Sequence, residues 1–385
     1  MTERTPLKAA IIGGGMIGTV HAAALRSTGI ALRGVLASSE VSSKETAERF
    51  DVPVAYPDLD ALLSDDSVDV VHVCTPNQLH VAQAVATLSA GKHVICEKPM
   101  ATSRSDAEQL VRASTDARRE VLIPFVYRFH PVVREIRARV QADDFGAWQL
   151  FHGSYLQDWL LNPNVSNWRV DPAVGGRSRA FADIGTHWFD LVEWVSGVRF
   201  ADVFASFRTT HTDRPAQATK TFASDDAKWG ERARVGTEDV SCVLARTSSG
   251  IPASVTISQV SAGRKNRLWF ELDGADGSAV FDQEHPESAW FGSVDGWYEF
   301  LRDSSSGSRE QRRLSSLPAG HAQGHIDLFR AFLNDAYARI GGDQTVEGIP
   351  DVRDGLRSSI LVDAVIRSAE SERWVPIALG ESAHH

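Results

Sequence analysis

The sequence predicts an α/β protein with two domains, a doubly wound parallel sheet followed by an α+β domain with a large, mostly antiparallel open sheet. Over residues 7–126 short strand-like runs alternate with helical segments, and after residue 200 longer runs are separated by turn residues. The chain has 385 residues, more than one hydrophobic core usually organises. We expect one domain over residues 1–128 and a second over residues 129–385, whose C-terminal helix could pack back on the first.

The strands predicted for the first domain lie at residues 7–12, 30–37, 68–75, 93–97 and 121–126. Helical segments separate them, which is typical of parallel strands, because parallel neighbours cannot be joined by tight turns. In the second domain, a helix over residues 131–141 is followed by a Trp-rich loop and by a helix opening near Arg179. Turn residues at 248–250, 274–277 and 295–296 then predict an antiparallel meander.

The remaining segments are a polar insertion and the C-terminus. Residues 209–236 are long enough to be a functional or interface loop, or merely a mobile one. Helices are predicted over residues 326–340 and 352–370. Residues 382–385 read as a frayed tail, and the two final histidines could be a tag remnant.

Composition and charge exclude several classes of protein. The formal net charge is -10 without a long block of Lys and Arg, which argues against nucleic acid as a partner. Cys74, Cys96 and Cys242 lack C-x-x-C spacing, so neither a disulfide framework nor a metal site is expected. There is no apolar stretch near the ~20 residues of a membrane span, and the start does not resemble a signal peptide. We expect a cytoplasmic enzyme acting on a small molecule.

A glycine-rich turn, GGGMIG at residues 13–18, follows the first strand and opens a helix. In this G-x-G-x-x-G pattern Gly13 permits a tight turn, Gly15 lets the backbone approach a pyrophosphate, and Gly18 lets helix and strand pack closely. The phosphates would lie at the positive end of the helix, beside Met16 and Ile17. The first domain is therefore predicted to be a Rossmann domain that binds NAD or NADP.

The end of the second strand bears on the choice between these two dinucleotides. An acidic residue usually holds the ribose hydroxyls of NAD at the position where this chain has Ser38, followed by Ser39. The anionic barrier to a 2'-phosphate is thus missing, and Lys44 could supply a countercharge, although a surface lysine needs no function. NADP is expected to be tolerated or preferred, unless Glu40 or a rearranged turn replaces the acidic residue.

Polar residues also follow the third strand. Ligands of open parallel sheets lie beyond the carboxyl ends of the strands, so Thr75, Pro76 and Asn77 are expected to border the nicotinamide ribose. His80, shortly after them, could contact the cofactor or cap the following helix.

The fourth strand ends in Glu97, Lys98 and Pro99, on the same rim. The Lys98 ammonium could hold a substrate hydroxyl, while Glu97 fixes the cofactor or the lysine. A cis peptide bond at Pro99 would aim Lys98 inward.

Asp183 and His187 lie four residues apart, which places them on one face of a helix, with Asp190 nearby. The imidazole could take a hydroxyl proton while the carboxylate orients the ring. Alternatively, the pair is a helix-capping Asp and a partly buried His. Another face of this helix carries an apolar stripe, formed by Trp188, Leu191, Val192 and Val195.

These patterns resemble the glucose-fructose oxidoreductase, inositol dehydrogenase and rhizopine-catabolism (Gfo/Idh/MocA) family. The resemblance covers nearly the whole chain and is carried by GGGMIG, by CEKP at residues 96–99, by GGRSRAFADIGTHWFDL at residues 175–191 and by DGLRSSILVDAVIRSAES at residues 354–371. It implies a catalytic triad of Lys98, Asp183 and His187, with the histidine as acid/base. It further implies a dehydrogenase acting on a secondary hydroxyl or ketone of a sugar, an anhydrosugar or an inositol-like polyol. Two alternatives are an NAD-dependent glycoside hydrolase acting by transient oxidation and a non-catalytic sensor.

Several polar and aromatic residues are candidates for binding such a substrate. Arg177 and Arg179 stand where small or apolar residues are expected in inositol dehydrogenases, and could meet an anionic or hydroxylated ligand or form salt bridges. The other candidates are Tyr127, Arg128, Gln157, Trp159, Trp168 and Arg169. The tryptophans could equally be core residues.

The predicted open sheet suggests self-association. Val255, Ile257, Trp269 and Phe281 alternate along its strands and are expected on an exposed face. A partner usually covers such a face, so a homodimer or homotetramer is predicted, although a helix of the same chain could cover it instead.

Overall fold

The computed structural model describes residues 6–216, 231–343 and 345–378. The chain divides into two compact units. The first comprises residues 1–126 and 324–359, and the second comprises residues 127–323 and 360–385. The polypeptide therefore returns to its N-terminal unit after building most of the second.

The first unit is built on a six-stranded parallel sheet with strand order β3-β2-β1-β4-β5-β6. Its strands are β1 (Lys8–Ile12), β2 (Ala31–Leu36), β3 (Val54–Ala55), β4 (Val70–Val73), β5 (His93–Cys96) and β6 (Val121–Leu122). Apolar runs form these strands because helices bury both faces of a parallel sheet. The expected parallel, doubly wound fold is confirmed, and β3, only two residues long, is the strand that the sequence patterns missed.

Helices α1 to α5 connect these strands. They are α1 (Met16–Thr28), α2 (Glu40–Phe50), α3 (Leu59–Leu63), α4 (His80–Ser89) and α5 (Arg104–Ala117). The side chains of Ser39, Asp58 and Ser103 cap α2, α3 and α5 by accepting backbone amides. The first helix ends at Gly29, whose φ of 77° is the left-handed conformation that glycine adopts readily.

The second unit contains a nine-stranded sheet of order β16-β15-β14-β13-β7-β12-β11-β8-β17, whose last strand, β17, is Val375–Pro376. Its long strands are β7 (Trp148–Leu156), β8 (Phe200–Arg208), β11 (Val240–Thr247), β12 (Pro252–Ser258), β13 (Arg267–Gly274), β14 (Ser278–Asp282), β15 (Ser288–Ser293) and β16 (Gly296–Leu301). Strand β7, in the segment predicted as a Trp-rich loop, pairs parallel with β12 and antiparallel with β13. The sheet is mostly antiparallel as expected, but β7 interrupts the meander.

The remaining helices and the last strand complete the chain. The helices are α6 (Pro131–Gln141), α7 (Pro172–Gly175), α8 (Thr186–Ser196), α9 (Arg309–Leu314), α10 (His325–Ile340) and α11 (Val352–Ser371), and the last strand is β17 (Val375–Pro376). Within the insertion at 209–236, β9 (Asp213–Pro215) pairs with β10 (Arg232–Arg234), while residues 217–230 lie outside the described part, as does the tail at 382–385. Across the described residues no helix is long and apolar enough to cross a bilayer.

The exposed face of the large sheet differs from the prediction. Val255, Ile257 and Phe281 are buried within the unit, so their assignment to an exposed face was wrong. Phe281 pairs in register with Phe270, which is also fully buried, and Trp269 therefore points to the opposite face, where it is half-buried. Helices α6 and α8 pack against β13, β14 and β15, so helices of the same chain cover the inner face.

Candidate functional site

The glycine turn is sterically tight in two places. Gly13 has φ 113°, and a Cβ built there would lie 2.5 Å from the Cys74 carbonyl oxygen. A Cβ on Gly18 would lie 2.0 Å from the Gly13 carbonyl oxygen, so only glycine allows this packing. Gly15 is the N-cap of α1 and faces open space, and Met16 is exposed beside it. The amides of the first turn of α1 therefore border a space that suits a pyrophosphate.

The segment after β2 carries the residues expected to bind the adenosine ribose. Ser38 is exposed, and the Ser39 hydroxyl accepts the Ser42 amide at 3.2 Å at the start of α2. The Lys44 ammonium lies 2.6 Å from Glu40, and this hydrogen bond and the lysine charge lower the pKa of the Glu40 carboxyl. Lys44 therefore already has an anionic partner.

A residue that the sequence patterns missed, Arg49, reaches the glycine turn from the end of α2. Its guanidinium donates to the Gly14 carbonyl oxygen and lies 3.5 Å from the Thr46 hydroxyl. The contact spans 35 positions in sequence, so local spacing carried no sign of it. Arg49 ties α2 to the turn that would hold the pyrophosphate.

Thr75, Pro76 and Asn77 lie just beyond the carboxyl end of β4, separated from it by Cys74, as expected. The Thr75 hydroxyl donates to Gln83 Oε1 at 2.7 Å, and Asn77 opens a short helical turn, Asn77–Leu79. The His80 ring is buried between two carbonyl oxygens, with Nδ1 2.9 Å from Pro99 O and Nε2 2.8 Å from Thr75 O. It thus braces the end of β4 against the end of β5.

Glu97 and Lys98 lie at the end of β5, followed by a cis peptide bond between Lys98 and Pro99. The two oxygens of the buried Glu97 carboxylate accept different donors, His21 Nε2 at 3.0 Å and the Lys98 backbone amide at 3.1 Å. Burial raises the pKa of Glu97, but the His21 hydrogen bond, the charges of His21 and Lys98 and the Lys98 amide outweigh it, so the pKa lies below its usual value. Lys98 itself is half-buried.

In the second unit, Asp183 and His187 lie on consecutive helical turns of different geometry. Asp183 belongs to a π-helical turn, Phe181–Gly185, and His187 to the first turn of α8. Gly185 is required here, because a Cβ would approach the Phe181 ring to 2.6 Å. Glu238 fixes the start of the segment, accepting the Phe181 amide at 2.8 Å. Such single π turns often occur at functional sites.

The Asp183 carboxylate contacts two polar side chains. Gln259 donates to one oxygen at 2.9 Å, and Arg169 Nε lies 3.6 Å from the other. Gln259 follows β12 and matches no sequence motif, so it was missed. The Arg169 guanidinium also stacks over the Trp168 ring at 4.3 Å, which orients both side chains.

His187 packs against a buried pair of tyrosines. Its ring meets the Tyr127 ring edge-on with centroids 5.1 Å apart, and the Tyr155 ring lies at 6.2 Å. The two tyrosine hydroxyls are 2.7 Å apart, and both reach Asn266, whose amide oxygen accepts from Tyr155 at 2.8 Å and whose amide nitrogen donates to Tyr127 at 3.3 Å. Burial is the main cause that raises the pKa of Tyr155 well above its usual value, and the neighbouring Tyr127 adds to it. The Tyr155 hydroxyl therefore stays protonated.

The same network extends to two of the predicted substrate residues. Trp159 Nε1 donates to Gln157 at 3.0 Å, and Gln157 Nε2 donates to the Asn266 oxygen at 2.8 Å. The sequence patterns missed Asn266, which lies far from Gln157 along the chain but joins it to the tyrosines. These groups form a continuous hydrogen-bond network that begins beside the His187 ring.

Two predicted substrate residues are instead held in buried ion pairs. Arg128 binds Asp190 through two nitrogens, Nε lying 2.9 Å from Oδ2. Arg179, whose side chain is fully buried, pairs with Asp239 and donates to Gln259 at 3.2 Å. Salt bridging was the alternative that the sequence left open for Arg179. Arg177, two residues earlier, pairs with Glu370 on the surface.

The glycine turn between a buried parallel strand and its helix, with polar residues beyond the carboxyl ends of the neighbouring strands, is typical of a dinucleotide-binding oxidoreductase domain. Residues 7–124 match the oxidoreductase family with the NAD-binding Rossmann fold, and residues 133–280 match the GFO/IDH/MocA C-terminal domain. The chain belongs to the Gfo/Idh/MocA family of oxidoreductases, which confirms the resemblance found in its sequence.

Relatives of known activity match most of the chain. Levoglucosan dehydrogenase from Pseudarthrobacter phenanthrenivorans is 29% identical over 96% of this chain and 98% of its own length. Inositol 2-dehydrogenase from Acidothermus cellulolyticus is 28% identical over 74% of this chain and 75% of its own. The structure of a levoglucosan dehydrogenase in complex with NADH and L-sorbose superposes with a TM-score of 0.87 at 26% identity, covering 97% of this chain and 99% of that one.

Proposed function

We propose that the protein is a cytoplasmic NAD(P)-dependent dehydrogenase that interconverts a secondary alcohol and a ketone on a sugar, an anhydrosugar or an inositol-like polyol. The observation that carries the proposal is the hydrogen-bond network beside His187, in which hydroxyl and amide groups hold one another in fixed directions. A polyhydroxylated ring offers matching donors and acceptors. Relatives named for levoglucosan and inositol support the same class of substrate.

The proposed catalytic residues are Lys98, Asp183 and His187. His187 accepts the substrate hydroxyl proton, and the Lys98 ammonium donates a hydrogen bond to the same oxygen and stabilises the negative charge that develops there. Asp183 favours the protonated imidazole electrostatically. A bound nicotinamide supplies the hydride acceptor for the carbinol carbon. In the reverse direction His187 returns the proton to the carbonyl oxygen.

The residues proposed to hold the dinucleotide lie at the carboxyl ends of β1, β2, β4 and β5. They are Gly13, Gly15, Met16 and Ile17 for the pyrophosphate, Ser38 and Ser39 for the adenosine ribose, and Thr75, Pro76, Asn77, Glu97 and Lys98 toward the nicotinamide, with His80 bracing the last two segments. The fit rests on the steric need for glycine at positions 13 and 18 and on the open space over Gly15.

The residues proposed to bind the sugar are Tyr127, Gln157, Trp159, Trp168 and Arg169. Tyr127 and Gln157 offer fixed polar groups, and the tryptophans offer flat apolar faces suited to the C–H side of a sugar ring. Arg128 and Arg179 are proposed to act indirectly, because their guanidinium groups are engaged by Asp190 and Asp239.

The proposal is tested by incubating the protein with inositols, aldoses, anhydrosugars and glycosides and either dinucleotide, and by following the absorbance of reduced nicotinamide. A dehydrogenase accumulates reduced cofactor in proportion to product. Glycoside cleavage without net reduction would identify a hydrolase, and dinucleotide binding without any turnover across the panel would identify a sensor.

Cofactor preference depends on the exposed Ser38. We expect Ser38→Asp to lower kcat/KM for NADP about tenfold or more while leaving that for NAD within about threefold, because a carboxylate repels a 2'-phosphate but accepts ribose hydroxyls. Steady-state kinetics with both cofactors measure this. Ser105→Asp, at an exposed serine in the first turn of α5, is a control remote from Ser38 in sequence. A Ser38→Asp enzyme with an unchanged NADP to NAD ratio would contradict the placement of the ribose.

The outer face of the large sheet is proposed to mediate a homodimer or homotetramer. Trp297 and Leu301 on β16 are exposed, and the same face carries Leu150, Leu244, Trp269 and Trp290. Trp297→Glu should shift the light-scattering mass toward the monomer. Val294→Glu, at the fully exposed turn between β15 and β16, should leave the mass unchanged. A wild-type monomer at micromolar concentration would contradict the assembly.

A further inference from the structure

A line of hydrogen-bonded side chains runs through the interior of the first unit. The Tyr337 hydroxyl lies 2.9 Å from His72 Nε2, and His72 Nδ1 lies 2.8 Å from His21 Nδ1. His21 Nε2 lies 3.0 Å from Glu97, whose second oxygen accepts the Lys98 backbone amide at 3.1 Å. We call Tyr337, His72, His21 and Glu97 the histidine bridge.

The members of the histidine bridge come from four different elements: α10, β4, α1 and the end of β5. The two imidazoles are fully buried, and Glu97 and Tyr337 are nearly so. Phe329 packs against the His21 ring, with centroids 5.1 Å apart. Buried polar groups cost free energy unless each finds a partner, so the bonds of the bridge restrain one another.

The direction of each bond follows from Glu97. An ionised carboxylate only accepts, so His21 Nε2–H donates to it. In a neutral His21, Nδ1 is then an acceptor. His72 therefore donates a hydrogen bond from Nδ1–H to His21, and its Nε2 accepts a hydrogen bond from the Tyr337 hydroxyl. Every polar atom of the bridge is satisfied in this arrangement, and Glu97 carries its only charge. An imidazolium at His21 would instead reverse the two remaining bonds.

The electrostatic surroundings keep His72 neutral. Burial is the main cause that holds the pKa of His72 well below its usual value, so this ring accepts no second proton. The cation that faces Glu97 from its own segment is Lys98, and Cys74, Cys96, His80 and His325 are the other titratable groups that interact with this carboxylate. Burial holds both thiols protonated by raising their pKa. At the far end, Asp69 interacts with Tyr337, whose pKa burial raises.

We propose that His21 and His72 are positioning residues for the dehydrogenase reaction, because they hold Glu97 as an ionised acceptor that fixes the Lys98 backbone at the end of β5. The inference rests on the proposed function, in which the Lys98 side chain holds the substrate oxygen. A small displacement of a group that contacts the reacting atoms lowers turnover strongly. Turnover therefore also depends on the side chains of the histidine bridge that belong to α1 and α10.

The tautomers can be read directly in the dinucleotide-free protein. Nitrogen NMR of 15N-histidine-labelled protein should show His72 protonated at Nδ1, with its Nε2 unprotonated, and His21 protonated at Nε2. His72→Gln and His21→Gln samples assign the signals. A His72 proton on Nε2 in place of Nδ1 would overturn the proposed arrangement without any activity measurement.

Variants test the consequence for turnover. His21→Phe removes the donor to Glu97 while burial remains, so the Glu97 pKa should rise and the acid limb of kcat should move to higher pH. We expect kcat to fall about a hundredfold at low pH, with the KM for the dinucleotide changed much less. His21→Gln restores an N–H donor and should move the acid limb back toward the wild type. His93→Phe, a histidine at the opposite end of β5, is the matched control.

Circular dichroism and thermal unfolding show whether each variant is folded. A folded His21→Phe protein with the wild-type pH profile would overturn the positioning role. If His21→Phe does not fold, the tautomers of the wild-type protein and the His21→Gln profile decide the question. Absent turnover in the wild type, with the expected tautomers present, would overturn the proposed function and leave the hydrogen-bond arrangement standing.

Discussion

His187→Asn should lower kcat for sugar oxidation by about 10²–10⁴-fold, and Lys98→Ala should do so by a comparable factor. The first change removes the group that accepts the hydroxyl proton, and the second removes the cation that stabilises the developing alkoxide. The residues that hold the dinucleotide phosphates are untouched by either change. NADH affinity, measured by the fluorescence of the bound nucleotide, should therefore change far less than kcat.

His285→Asn, at an exposed position of the second unit, is the matched control and should retain wild-type kinetics. The kcat of Asp183→Asn should lie between that of the control and that of His187→Asn, because the carboxylate acts on the imidazole and does not contact the proton that is transferred. A His187→Asn enzyme that keeps more than about a tenth of wild-type kcat would contradict its role as the base. Unchanged turnover in Lys98→Ala would remove that residue from the mechanism.

Asp239→Asn should lower the free energy of unfolding of the second unit by about 3–5 kcal/mol. Asp239 is fully buried between the Arg179 and Arg214 guanidinium groups, and it also accepts the Thr210 and His211 amides at 2.6 and 3.1 Å. Removing the carboxylate leaves two buried cations without their shared anion. Urea unfolding followed by tryptophan fluorescence measures the loss.

The pH dependence of stability should follow the same ion pair. Burial raises the pKa of Asp239, but the Arg179 charge and hydrogen bond and the two amides outweigh it and hold the pKa below 3.8, the usual value. The group therefore contributes stability above pH 3.8, and this contribution is lost as the pH falls through the lower pKa of the folded state. Asp239→Asn should abolish this part of the acid sensitivity.

Glu370→Gln is the matched control for this ion pair, because it breaks the exposed pair with Arg177, only two residues from Arg179. Exposed pairs contribute about 1 kcal/mol or less, since water solvates both partners. An Asp239 variant no less stable than the Glu370 variant would show that the buried cluster is energetically dispensable.

The two arginines of the sequence GGRSRAF have different environments that their local sequence does not distinguish. Both stand in one motif with the same chemistry, and the sequence allowed either a ligand contact or a salt bridge for each. The fold exposes Arg177 beside Glu370 and buries Arg179 beside Asp239, which lies 60 positions away in the sequence. Burial depends on the strands that pack against the motif, and local spacing does not encode these.

Local patterns were sufficient where short-range physics decides the structure. Helix α6 has the predicted bounds, α11 differs from its prediction by one residue, and the glycine turn stands between β1 and α1 as expected, because periodicity and backbone sterics act within a few residues. The sequence by itself therefore determined the Rossmann domain, the family and the class of cofactor.

Only the tertiary structure decided which distant segments meet. The insertion of β7 between β12 and β13, the faces assigned to Trp269 and Phe281, and the hydrogen bonds that join His21 to His72 all involve partners far apart in sequence. Strand pairing and burial are long-range consequences of packing the whole chain, so each residue alone is compatible with several environments. The physical reason is that the environment of a side chain is set by its neighbours in space. A single sequence indicates these neighbours only where they are also close along the chain.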